Sequence, residues 1–280
     1  MAIKDILVEV DGGKAAPARY ETAMRLAQAH DAHVTGLCLA VEPPVPATIL
    51  GMVPPEVFTT QRQVVLEQAE SAMAQFRLGI EKAALKGDGR IVQVLGADDV
   101  DVFVEHARHV DVVILGQSDP DEIAGVRPGF VADVLMGCGR PAIVVPFTGA
   151  PATFGQRVLV AWNGSREATR AVNDAMPILE QAHSVTVLSV NPDMSSDGNR
   201  REPGADISLH LARHGVKVTA ARTITRDISV GDAILADIAD NGIDLLVMGA
   251  YGHSRLREFA LGGVTRDLLA HMTAPVLMSH

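Results

Sequence analysis

The sequence predicts an α/β protein of two tandem doubly wound parallel-sheet domains, Rossmann-like, each with strand order 3-2-1-4-5. Three observations carry this prediction: two segments open alike, two close alike, and the strands are unbroken Val/Ile/Leu runs. "DILVEVDGGKAAPARYETAMRLAQAHDAHVTGLCL" and "RVLVAWNGSREATRAVNDAMPILEQAHSVTVLSV" each read as strand, polar turn, helix and strand, with Asp11-Gly12-Gly13 answered by Asn163-Gly164-Ser165. "HVDVVILGQ" then matches "GIDLLVMGA", and "GRPAIVVPF" matches "TAPVLMSH". A repeat on this scale is a whole domain. Unbroken apolar runs belong to strands covered on both faces, hence to parallel sheets, and right-handed crossovers favour a sheet wound outward from its first strand.

Residues 1–148 form the first expected domain and 155–280 the second, joined by the polar, Pro/Gly-containing "TGAPATFG". A length of 280 residues suits two domains of about 100 to 150 each. The first domain carries an insertion, "VEPPVPATILGMVPPEVF" at 41–58, whose prolines bar it from a central strand. It is expected as a surface excursion before a helix that includes "QVVLEQAESAMAQFRLGIEKAA".

With 48% hydrophobic and 21% charged residues, packed cores are expected rather than disorder. The net charge of −10 and the lack of any Lys/Arg cluster argue against nucleic acid or anionic lipid as partner. No apolar run approaches the ~20 residues of a membrane span. "MAIKDILVEVD" reads as a strand rather than a leader, so a cytoplasmic protein is expected. Cys38 and Cys138 sit in apolar settings and are expected as reduced, buried thiols.

In such sheets ligands lie beyond the carboxyl ends of the strands, where the winding reverses. In the second domain those ends are Ala161-Trp162-Asn163 and Met248-Gly249, and the stretch "MGAYGHSRLREFALGGVTRDLL" begins there. Gly249 and Gly252 are expected to let a ligand approach the backbone. Gly262, Gly263, Val264 and Thr265 precede a helix whose first amides lack internal partners and whose dipole favours an anion, with Arg255 or Arg266 adding charge. Singly, each glycine reads as a turn or packing residue; jointly, they point to phosphate.

The G-x2-G-x9-G spacing after a strand ending in Met-Gly resembles the nucleotide-binding signature of the universal stress protein family, and the repeat resembles its tandem members. The resemblance implies ATP binding in the second domain, with or without Mg2+, a homodimer, and a regulatory role in stress response. By position it carries to Gly249, Gly252, Gly262, Val264 and Thr265. The set expected to contact nucleotide is completed by Ala161, Asn163, Val190, Met248 and Gly263. Two positions depart from the family pattern: Gly263 stands where a Ser or Thr is usual and keeps only its amide, and Asn163 stands where an Asp is usual and offers a metal no formal charge.

The first domain is an internal comparison, because Gly116 aligns with Gly249 and Gly129 with Gly262. Between and after them Asp119 replaces Gly252, Glu122 replaces Arg255, Phe130 replaces Gly263, Ala132 replaces Thr265 and Asp133 replaces Arg266, while Asp11 keeps the strand-one aspartate. One unfavourable charge pair at ~4 Å and a dielectric near about 20 costs about 4 kcal/mol, so no ATP is expected here.

Asp101, Glu105 and His109, spaced i, i+4, i+8 with His106 adjacent, fit a divalent metal, but a solvated face above Val102, Phe103 and Val110 is the commoner arrangement and no metal site is expected. No Walker, G-x-G-x-x-G, H-E-x-x-H, C-x-x-C or G-x-S-x-G motif is present, so no catalytic residues are assigned and any ATP hydrolysis is expected to be slow. Two other readings stay open: a stress-response scaffold that binds no nucleotide, and a flavoprotein-like electron-transfer module.

Overall fold

A computed structural model describes residues 2–42, 54–96, 98–122, 125–192, 203–251 and 263–280. Packing divides the chain into two compact units, one of Ile3–Arg140 and one built chiefly from Pro141–His280. Among the described residues no helix is long and apolar enough to cross a membrane.

The first unit alternates β1 (Asp5–Glu9), α1 (Ala16–His30), β2 (His33–Glu42), α2 (Pro55–Lys82), β3 (Gly87–Leu95), α3 (Asp99–Ala107), β4 (Val112–Gly116) and α4 (Phe130–Cys138). Its strands run in the order β3-β2-β1-β4, all parallel, with Ile6 opposite both Val34 and Val112. The unbroken apolar runs behave as expected: every residue of β4 is buried, whereas β3 at the edge is mostly exposed. Phe76 of α2 packs edge-on against Tyr20 of α1 at 5.3 Å, and Phe103 against Phe130 at 5.3 Å. Helix α2 starts at Pro55, inside the expected excursion, because proline at a first turn sacrifices no helical hydrogen bond. Helix α3 ends at Ala107, so His109 lies beyond it and does not share a helical face with Asp101 and Glu105.

The second unit contains β5 (Ala142–Val145), β6 (Arg157–Ala161), α5 (Arg166–Leu179), β7 (Ser184–Val190), α6 (Ala205–Arg213), β8 (Val218–Thr223), α7 (Val230–Asn241), β9 (Leu245–Gly249), α8 (Gly263–His271) and β10 (Val276–Ser279). The order β8-β7-β6-β9-β10 is parallel and is the expected 3-2-1-4-5 winding. β5 adds to it antiparallel, with Val144 opposite Val276 and Ala142 opposite Met278.

Local sequence explains the helix starts that border the site. Ser165 caps α5 by accepting from the Ala168 amide at 3.1 Å, and Ser229 caps α7 by accepting from the Asp232 amide at 3.0 Å. Helix α5 then buries Ala168, Ala171, Val172, Ala175, Met176 and Leu179, the i, i+3, i+4 face of an amphipathic helix.

Candidate functional site

In the second unit β6 and β9 are neighbours, with Ala161 opposite Met248, and the chain leaves their carboxyl ends toward α5 and α8 respectively. A cavity of ≈ 260 Å³ opens there. Of the residues expected to contact nucleotide, Ala161, Asn163, Val190, Met248, Gly249, Gly263, Val264 and Thr265 line it together. Gly252 and Gly262 lie outside the described residues, as do His253 and Arg255.

The structure adds Trp162, Ser165, Leu188, Val230 and Ile234 to the walls. Val230 and Ile234 are one turn apart on α7, the helix that leads into β9, a position the topology could have supplied. None of the described lining residues is charged. Arg266 is not among them; its side chain is two-thirds exposed and lies 4.0 Å from Asp267. The expected local cation at that position is therefore absent from the cavity wall.

Asn163 forms an Asx turn in which its Oδ1 accepts the Ser165 amide at 3.0 Å, so its NH2 group is the donor it can offer a ligand. Thr265 is buried, and its hydroxyl oxygen accepts the Tyr251 amide at 3.4 Å. Gly263, the first residue of α8, has open space where a side chain would stand.

Gly249 is different. A Cβ there would meet the backbone of Glu167 and Ala168 at 2.5 Å, so the missing side chain lets α5 pack against the strand end rather than admitting a ligand. Gly249→Ala is expected to destabilise the fold by about 1–3 kcal/mol, read as a lower denaturant midpoint, because the obstacle is backbone that cannot yield.

The first unit has a cavity of ≈ 300 Å³ at the corresponding strand ends, lined by acids and apolar side chains. Glu9, Asp11, Asp99 and Arg127 supply its charge, and Phe130 one wall. Asp11 repeats the Asx turn, accepting the Gly13 amide at 2.8 Å, and its other oxygen meets Arg19 at 2.6 Å. Arg19 also reaches Glu9 at 3.2 Å, and Arg127 holds Asp99 through contacts of 2.5 and 3.3 Å. Glu122 turns away from the cavity wall to accept the Lys14 amide at 3.0 Å, and neither Asp119 nor Asp133 lines the cavity. The acidity expected of this repeat is present, but it comes from Glu9, Asp11 and Asp99.

Glu9 and Arg19 were not singled out in the sequence. Their signal was a glutamate inside the apolar strand "DILVEVD" and an arginine on the inner face of the following helix. Burial pushes the Glu9 carboxyl up from 4.5 to about 7, against the opposing pull of Arg19. The folded state therefore binds the proton more tightly than the unfolded chain, so stability falls as pH rises between about 4.5 and about 7 and levels off above. Urea midpoints across that window should show the fall, and Glu9→Gln should flatten it. Burial also pushes the Cys38 thiol up to about 12, which keeps it protonated and unreactive.

Both units thus have the doubly wound α/β architecture, and the second places at its switch point a cavity whose described lining residues carry no charge. Residues 155–280 match the model of the universal stress protein family. Universal stress protein Slr1230 of Synechocystis is 30% identical over 178 residues, which are 60% of this chain and 57% of that protein, so the likeness spans little more than half of the relative. The fold is shared with a universal stress protein from Archaeoglobus fulgidus DSM 4304, at 17% identity and a TM-score of 0.72 over 98% of this chain and 95% of that one. A functionally unknown protein from Pseudomonas aeruginosa PAO1 matches at 14% identity and a TM-score of 0.62 over 99% and 92%. The likeness to the universal stress protein family is thus carried by the C-terminal domain, residues 155–280.

Proposed function

We propose that the protein binds one nucleotide, ATP, in the cavity of the second unit and acts as a regulatory member of its family. The observation that carries this reading is the convergence of Ala161, Asn163, Val190, Met248, Gly263, Val264 and Thr265 on one cavity at the switch point. Apolar walls from Leu188, Val190, Ile234 and Met248 suit a purine, and the Asn163 NH2 suits a ribose hydroxyl. The free amides at the start of α8 suit the phosphates. With no carboxylate among the described lining residues, Mg2+ would be held by the phosphates and water.

Under this reading the first unit takes no ATP, because its cavity presents carboxylates to any polyanion. A homodimer, implied by the family resemblance, completes the reading and would show as twice the chain mass in light scattering. Isothermal calorimetry tests the nucleotide: one ATP per chain is expected. Two equivalent sites count against the reading, and no heat at millimolar ATP returns the protein to the scaffold alternative.

A further inference from the structure

We infer that the cavity of the second unit selects its nucleotide at the ribose, favouring one that carries a phosphate on the 2′ or 3′ oxygen, and that Asn163 makes the selection. This rests on the nucleotide reading of that cavity and narrows it. The two repeats carry the argument, because they build the same turn from different side chains. In the first unit Asp11 Oδ1 accepts the Gly13 amide at 2.8 Å, and its Oδ2 is taken up by Arg19 at 2.6 Å. In the second unit Asn163 Oδ1 accepts the Ser165 amide at 3.0 Å, and Ala171 stands in the place of Arg19. Asn163 lines the cavity, and its Nδ2 has no partner among the described residues.

What Asn163 offers a ligand differs in kind from what an aspartate would offer. With Oδ1 engaged in the turn, the amide group can only donate, whereas an aspartate there could only accept and would carry charge. An acid at a strand end holds a ribose by accepting from its hydroxyls, and the same charge repels a phosphate on the sugar. The NH2 group reverses that preference. A ribose hydroxyl is an adequate acceptor for it, and a phosphate oxygen is a better one, because charge-assisted hydrogen bonds are about twice as strong as neutral ones.

Nothing on the described wall opposes such a phosphate, for no carboxylate is among the described lining residues. Arg166, next in sequence to the lining Ser165, is held by Glu167 at 2.7 Å. The discrimination therefore falls to Asn163.

The test uses calorimetry on the full-length protein with ATP, AMP, adenosine 2′,5′-bisphosphate and adenosine 3′,5′-bisphosphate. At least one bisphosphate should bind about threefold to tenfold more tightly than AMP, from which it differs only at the ribose. Asn163→Asp keeps the shape of the side chain, and Asp11 shows that the turn accepts an aspartate. In that variant the bisphosphate should become at least about tenfold weaker than AMP, while AMP stays within about threefold of its original affinity. Asn163→Ala removes the donor without adding charge, so the bisphosphate and AMP should bind about equally; this second variant decides the matter if the first does not fold. Binding of ATP and AMP with no gain for either bisphosphate, or a gain that survives both substitutions, would overturn this inference and leave the nucleotide reading standing. Absence of binding by all four nucleotides would overturn both.

Discussion

Ala161→Glu is expected to abolish ATP binding, weakening it by at least about a hundredfold in calorimetry. Ala161 ends β6, stands opposite Met248 and lines the cavity of the second unit. It is the counterpart of Glu9, as the Asp11 and Asn163 turns align the two repeats. The new carboxylate would face a triphosphate in a site with no charged group among its described lining residues, where each like-charge pair at ~4 Å costs about 4 kcal/mol at a dielectric of about 20. No guanidinium would offset it, for Ala171 occupies the place of Arg19. Ala161→Gln separates charge from bulk: it fills similar space and should retain most of the affinity. Equal losses in the two variants would mean that bulk, not charge, governs the site.

Arg19→Met is expected to destabilise the first unit by about 3–5 kcal/mol, seen as an early transition in urea. Arg19 is 2% exposed and links Glu9 at 3.2 Å to Asp11 at 2.6 Å. Its removal leaves two acids side by side without their cation. The network is not ideal even when intact, since Arg19 Nε has no partner among the described residues. The second repeat indicates that the fold does not require the network: its counterparts are Ala161, Asn163 and Ala171. The triple variant Glu9→Ala, Asp11→Asn, Arg19→Ala should accordingly recover more than half of the loss, because whole buried ion networks can be exchanged for apolar groups where single partners cannot. If the triple variant were as unstable as Arg19→Met, the network would itself be holding the unit together.

Much of the fold was legible because its signals are local and repeated. The Val/Ile/Leu runs of β4 and β9 mark buried parallel strands, and Ser165 marks the start of α5 within four residues of sequence. The switch point followed from the winding, which is why so many expected residues meet at one cavity. What sequence left hidden depends on contacts between distant segments. Gly249 reads as an opening for ligand, and only the approach of the α5 backbone shows that it serves packing. Glu9 looks like a stray charge until Arg19 is seen beneath it. The spacing of Asp101, Glu105 and His109 presumes a helix that stops at Ala107.

The most direct test of the central claim is a crystal structure grown with saturating ATP. The account predicts purine density between Val190 and Met248 and phosphate density over the amides of Gly263 and Val264, with none beside Glu9. Triphosphate in the acid-lined cavity of the first unit, or side chains filling the second while ATP stays in solution, would contradict it.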